Sequence, residues 1–304
     1  MAKTKRKTVK KARAGDSVGR ASRASVLKTY KVYINGRFPR SESGRTYEVA
    51  QADGKSPCHV CRCSRKDFRE SVVAARAAFT GWSTAGAFLR GQILYRIAEM
   101  LEGRREQCVS ELRVLGTTQR QATTEVDAAI DMLVHYAGWS DKFQQVFSSV
   151  NPVNSSHFNF SMCEPTGVVS VIAPQDNGLI GLVANLAPVI VGGNTSVVLA
   201  SESLPRCAIT FAEVLHSSDV PAGVINVLTG LQDELVGHFA SHMDVNAVIY
   251  CGDVQSRIKS IQEEAARNVK RVIIRSTSQA RQNPDPYFIL DTQEIKTTWH
   301  PVGC

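Results

Sequence analysis

Between Gly167 and Gly230 the chain reads GVVSVIAPQDNGLIGLVANLAPVIVGGNTSVVLASESLPRCAITFAEVLHSSDVPAGVINVLTG. Three short apolar runs, VVSVIAP, NTSVVLAS and VINVLTG, are separated by two longer segments of helical period. Strand, helix, strand, helix, strand is the unit that builds a parallel sheet with helices on its faces. The runs are rich in Val and Ile and lack polar alternation, so they read as strands covered on both sides. A ligand site in such a sheet sits at the carboxyl ends of the strands, here IAPQDN, LASES and LTG.

The rest of the chain extends this unit. Residues 30–64 read as short strands and turns. TYKVYINGRF predicts a hairpin turning at Asn35–Gly36, because Asn-Gly suits the left-handed angles of a tight turn. SRKDFRESVVAARAAFTGW predicts a helix capped by Ser64, with Phe68, Val72, Ala75 and Phe79 on one face. Helices are predicted from Ala87 to Glu106, from Glu106 to Leu115, and from Glu125 to Val146. Trp139, Tyr136 and His135 on the last of these are read as packing groups. After Gly230 the pattern gives a helix (DELVGHFASH), a strand (AVIYCG), a helix (VQSRIKSIQEEAARNV), a strand (RVIIRS) and one more strand before the end.

Length allows one large domain or two ordinary ones, with 43% hydrophobic residues in 304. The net charge of +8 is not a property of the body. Residues 1–28 hold ten Lys or Arg and one acid, Asp16, leaving 26 basic and 27 acidic side chains in the remainder. We therefore expect a disordered basic tail over 1–28 and one domain over 29–304. The tail is a candidate contact for an anionic partner. No run approaches a membrane span, and no apolar stretch follows the N-terminal charges, so a soluble, cytoplasmic protein is expected.

The eight cysteines are scattered, and the expectation is free thiols. CHVCRC is their one cluster, with His59 between Cys58 and Cys61. No second ligand pair matches it. Its alternation reads as a strand, so no metal site is expected.

At IAPQDNGL, GGNTSVVLASESLP and VPAGVINVLTG the chain resembles the NAD(P)-dependent aldehyde dehydrogenase superfamily. That family writes these segments I-x-P-W-N-F-P, A-G-N-x-V-V-x-K-P-S-E-x-T-P and P-x-G-V-x-N-V-V-x-G. Its G-S-T-x-x-G motif aligns with GDVQSR, and its E-L-G-G-K with RSTSQ. The resemblance spans roughly residues 30–290. It implies an α/β fold with a Rossmann-like parallel sheet, N-terminal helices and a small oligomerisation hairpin that includes FNFSMCEP. It also implies NAD(P) at the strand ends, touching Ile172, Ala173, Pro174, Ser201, Glu202, Gly230 and Gly252 in weakened or vestigial form.

The same alignment shows what has changed. The oxyanion-stabilising Asn of the family falls at Asp176, where a carboxylate would repel developing negative charge. Asn177 follows one position late. The cofactor-gripping Lys falls at Leu199. The phosphate turn keeps Gly252 but places Asp253 at the hydroxyl position and Arg257 at the second Gly. The general base Glu falls at Arg275, which accepts no proton; the two Gly that follow it fall at Thr277 and Ser278. No F-x-x-x-G-Q-x-C nucleophile segment occurs. A catalytic domain is expected to be missing, and the thiol of Cys304 in HPVGC lacks the donors and base a nucleophile needs.

The expectation is a pseudoenzyme subunit or scaffold that joins a full-length aldehyde dehydrogenase or a second copy of itself. Two alternatives stand beside it. One is an oxidoreductase whose site a partner completes; the other is a nucleotide- or anion-binding module.

Overall fold

The computed structural model describes residues 28–52, 57–276 and 284–303. The basic tail up to residue 27, together with Thr277, Ser278 and Cys304, lies outside the described residues.

The central sheet has five parallel strands: β5 (Val168–Ile172), β6 (Thr195–Leu199), β7 (Ile225–Leu228), β8 (Ala247–Cys251) and β9 (Arg271–Arg275). Their order is β7-β6-β5-β8-β9. The chain therefore builds outward in one direction from β5 and then crosses back to add β8. That reversal puts the switch point of a doubly wound sheet between β5 and β8. Every residue of β5, β6, β7 and β8 is buried. The helix α6 (Ile180–Val191) is buried along its whole length, as expected of a segment apolar on all sides.

The helices α7 (Pro205–His216), α8 (Gln232–Ser241) and α9 (Gln255–Ala266) complete the crossovers. Helices also precede the sheet. The first, α1 (Arg65–Ser83), carries the expected Ser64 cap, closed reciprocally by Asp67. It is followed by α2 (Ala87–Gly103), α3 (Arg105–Val114) and α4 (Gln119–Ala137). The last helix begins earlier than the apolar stripe suggested, because Thr118 and Gln121 form a second capping box. It also ends earlier, at the Gly138 cap, and a short helix α5 (Phe143–Phe147) follows. Apolar spacing alone reads across that break.

The Asn35–Gly36 turn is present, with φ of 50° and 71°. It closes only one bridge, Ile34 to Arg37; Tyr33 instead pairs with Val227 and lines the free edge of β7. CHVCRC supplies β2 (Cys58–Cys61), which pairs with β1 (Thr46–Val49). Val60 packs into one apolar cluster while Cys61 and Cys63 pack into the other. The thiols are thus core residues, and His59 points outward.

A separate three-stranded sheet has the order β10-β4-β3, from β3 (Ser149–Asn151), β4 (His157–Pro165) and β10 (Gln293–Pro301). The expected hairpin is therefore only part of it: the last strand of the chain pairs along all nine residues of β4. The segment leading into β10 contains α10 (Tyr287–Leu290), which packs Ile289, fully buried, into the main core. The C-terminal segment therefore covers part of the main core.

Candidate functional site

The strand ends meet as the topology requires, and the loops that follow them are tied together. Ala173, just past β5, donates its N–H to Leu199 O at 3.0 Å. Gln175 accepts the N–H of Glu202 at 2.8 Å, and its carbonyl accepts the Ser203 hydroxyl at 2.8 Å. Ile172, Ala173 and Ser201 are buried in this junction.

The residues assigned to a cofactor are largely committed to one another. The Glu202 carboxylate accepts the backbone N–H of Gln232 at the start of α8, at 2.9 Å. Leu199 is fully buried and offers neither charge nor donor. A side chain at Gly230 would meet Leu235 at 2.7 Å, so this glycine is needed for packing. At Gly252 the open side of the turn faces the Tyr250 phenol, 2.7 Å from where a Cβ would sit. Arg257, on α9, reaches across to Gln232 and Asp233 on α8 and bridges the two helices. At the positions that the resemblance assigns to a dinucleotide, Glu202 thus spends one carboxylate oxygen on Gln232, Leu199 offers no cation and Arg257 is engaged by α8.

Asp176 lines an open cavity of about 760 Å³ together with Glu125, Asn177 and Ile180. Glu125 was not singled out from the sequence. Its carboxylate accepts the N–H groups of Gly178, Leu179 and Ile180 at 2.9, 2.7 and 3.3 Å, capping α6. Burial pushes its carboxyl up, those three N–H groups pull it back down, and the charge of Asp176 adds to the rise. Asn177 is not a spare oxyanion donor. Its Oδ1 accepts from Gly181 N–H at 2.7 Å and its Nδ2 donates to Asp176 at 2.9 Å. Where the family stabilises negative charge, this cavity presents two carboxylates, which oppose it.

Arg275 ends β9 with 3% exposure. It donates to Asn185 of α6 at 2.6 Å and to Asp291 at 2.9 Å, and lies 3.7 Å over the Phe288 ring. The position that the resemblance aligns with the family's general base thus holds a buried cation that ties β9, α6 and the C-terminal segment together. The sequence showed the charge reversal but not its partners, which lie 90 and 16 residues away.

Burial outweighs the downward pull of the Arg206 guanidinium beside Cys58 and of the Arg275 guanidinium near Cys251. Burial pushes Cys58, Cys63 and Cys163 up, and Cys251 up to about 12. Among the described residues no group of three or more His, Cys, Asp or Glu could hold a metal, and no helix is long and apolar enough to cross a membrane.

Comparison with known proteins places this geometry. The aldehyde dehydrogenase family model matches residues 38–281. A cytosolic aldehyde dehydrogenase 1 of Elephantulus edwardii is 32% identical over 252 residues, covering 80% of this chain and 49% of that protein. Omega-crystallin of Enteroctopus dofleini is 31% identical, with 81% and 50% covered. Among solved structures, PnpE of Pseudomonas sp. WBC-3 superposes with a TM-score of 0.77 at 27% identity, covering 81% of this chain and 50% of its own. An aldehyde dehydrogenase from Bacillus cereus, solved as its NAD+ complex, gives 0.77 at 25% identity over 82% and 51%. The chain spans about half the length of the curated relatives it matches.

Proposed function

Since this chain belongs to the aldehyde dehydrogenase family, we propose that it is a pseudoenzyme subunit: a non-catalytic partner for a full-length aldehyde dehydrogenase or for a second copy of itself. One observation carries the reading. The position of the general base is held by Arg275, buried and tethered to Asn185, Asp291 and Phe288, so the change serves the fold and cannot serve proton abstraction. Asp176 beside Glu125 supports it, since that pair opposes an oxyanion.

NAD(P) comes to this chain by family resemblance alone. The engagement of Glu202 and the Arg257 bridge argue for weak binding or none. The cytosol is the compartment we propose, following the name of the Elephantulus relative.

An interaction role has its own support in the β3–β4–β10 sheet. Its outer edge at β10 is unpaired by any described strand. On one face Val150, Phe158 and Met162 are 67%, 46% and 47% exposed. A long free edge beside an apolar face favours association. The test is to purify the chain alone and co-expressed with a full-length aldehyde dehydrogenase, and to measure mass, NAD binding and NADH formation from aldehydes. NADH formed by the chain alone overturns the pseudoenzyme reading. A new activity in the complex that neither chain shows would favour the alternative of a site completed by the partner, which must supply both thiol and base.

A further inference from the structure

A second concavity lies apart from the strand ends described above. It has a volume of about 470 Å³ and opens between the Lys28–Tyr30 segment, the loop of residues 40–46, β2 and the first turn of α7. That size lies within the usual range of small-molecule sites, about 300–1,000 Å³. Lys28, Arg40, Arg45 and Arg206 line it, and none of its described lining residues is acidic.

The four cations are not equivalent. Lys28 pairs with Glu213 at 3.0 Å and Arg206 with Glu111 at 2.6 Å, which fixes both in place. They stand on the Tyr30 ring, each 5.1 Å from its centroid, and the Tyr30 hydroxyl is anchored on Glu111 at 2.9 Å. Arg40 and Arg45, by contrast, make no ion pair among the described residues.

The loop that presents them is held from below. Asp67 accepts the Ser41 hydroxyl at 2.9 Å and the Glu42 N–H at 2.8 Å. A turn closes from Gly44 N–H to Ser41 O at 2.9 Å, using the positive φ of 68° at Gly44. Arg40 and Arg45, which make no ion pair among the described residues although Arg45 lies within electrostatic reach of Glu234, are suited to the two-pronged grip that guanidinium gives a phosphate.

We propose that this cavity binds a phosphate-bearing small molecule. Arg40 and Arg45 grip the phosphate, the ion-paired Lys28 and Arg206 form a floor of N–H donors on the Tyr30 ring, and Pro57 and Cys58 border the rest of the ligand. The assignment is independent of the pseudoenzyme reading, because none of these residues belongs to the strand-end site.

The test is isothermal titration calorimetry of the full chain with pyrophosphate, ATP and adenosine. Pyrophosphate and ATP should bind with affinity that falls as salt is raised, and adenosine should not bind. The variant R40E/R45E keeps the basic tail and should lose at least tenfold in affinity for both, with an unchanged melting temperature. If that variant melts early, R40Q/R45Q takes its place, with a smaller loss expected. Unchanged affinity in the variant would assign the anion to the tail or the strand ends and overturn the proposal; so would the absence of binding to the wild type. ATP binding more tightly than pyrophosphate would show that the wall beyond the phosphates takes a nucleotide, and equal binding would assign recognition to the phosphate chain.

Discussion

At Arg275, the position that the resemblance aligns with a general base, the side chain serves the fold. A guanidinium that is 3% exposed needs partners, and it has Asn185, Asp291 and the Phe288 face. Removing it strands those groups. Arg275→Ala should lower unfolding stability by about 2–3 kcal/mol in urea titration, the usual range for charge-assisted bonds in a buried setting. Arg275→Glu should cost more, since it sets two carboxylates against each other, and should yield no NADH with any aldehyde. Lys270 is a second buried cation, 8% exposed, with its ammonium on the carbonyl of His242 at 2.7 Å. Burial brings it down from its ordinary 10.5 to about 8. A lowered folded-state value means that the unfolded chain binds the extra proton between those limits. The contribution of Lys270 to stability should therefore rise as pH climbs from about 8 to 10.5. Buried thiols act in the opposite sense at high pH, so the reading is the difference between wild type and Lys270→Met, followed by denaturant titration across that range. A flat difference would show that the amine is ordinary.

At the scale of elements, the C-terminal segment is part of the folded core. α10 inserts Ile289 into the core, and Asp285 receives the Tyr136 hydroxyl at 3.0 Å. Ile289→Ala should cost about 2–4 kcal/mol, the common range for a large-to-small change in a packed site, as measured by thermal or urea unfolding. A value near zero would mean that the segment is not docked. The strand ends and their helices were legible because each crossover writes its signal locally, in apolar runs and caps such as Ser64 with Asp67. The partner of β10 was not. Its pairing with β4 joins residues such as Lys296 and Met162, and nothing in either segment's spacing specifies the other. The same holds at Tyr33: the Asn35–Gly36 turn is written in the sequence, but the choice of Val227 over a hairpin partner is made by the exposed edge of β7. In the candidate site, the loss of amide, ammonium and base at Asp176, Leu199 and Arg275 could be read from residue types. The capping of α6 by Glu125 could not, because it depends on tertiary approach across 53 residues.

For the whole molecule, the surface that remains uncovered decides what the chain does. The body carries nearly balanced charge, so long-range repulsion does not keep copies apart. The β3–β4–β10 sheet offers a free edge of nine residues and an exposed apolar face. Backbone pairing along β10 supplies direction, and burial of Val150, Phe158 and Met162 supplies the drive, at roughly 25 cal/mol per Å² of apolar area. Light scattering of the purified chain should therefore report a mass above that of one 33.2 kDa chain. The variant Phe158→Ser/Met162→Ser should shift that mass toward the single chain at equal concentration. Because both side chains are nearly half exposed within one chain, the variant should keep its far-UV circular dichroism. Unchanged mass in the variant would remove this sheet as the interface. The free groove between α2 and α4, where Phe88 and Tyr95 are 73% and 59% exposed, would then be the surface to mutate next.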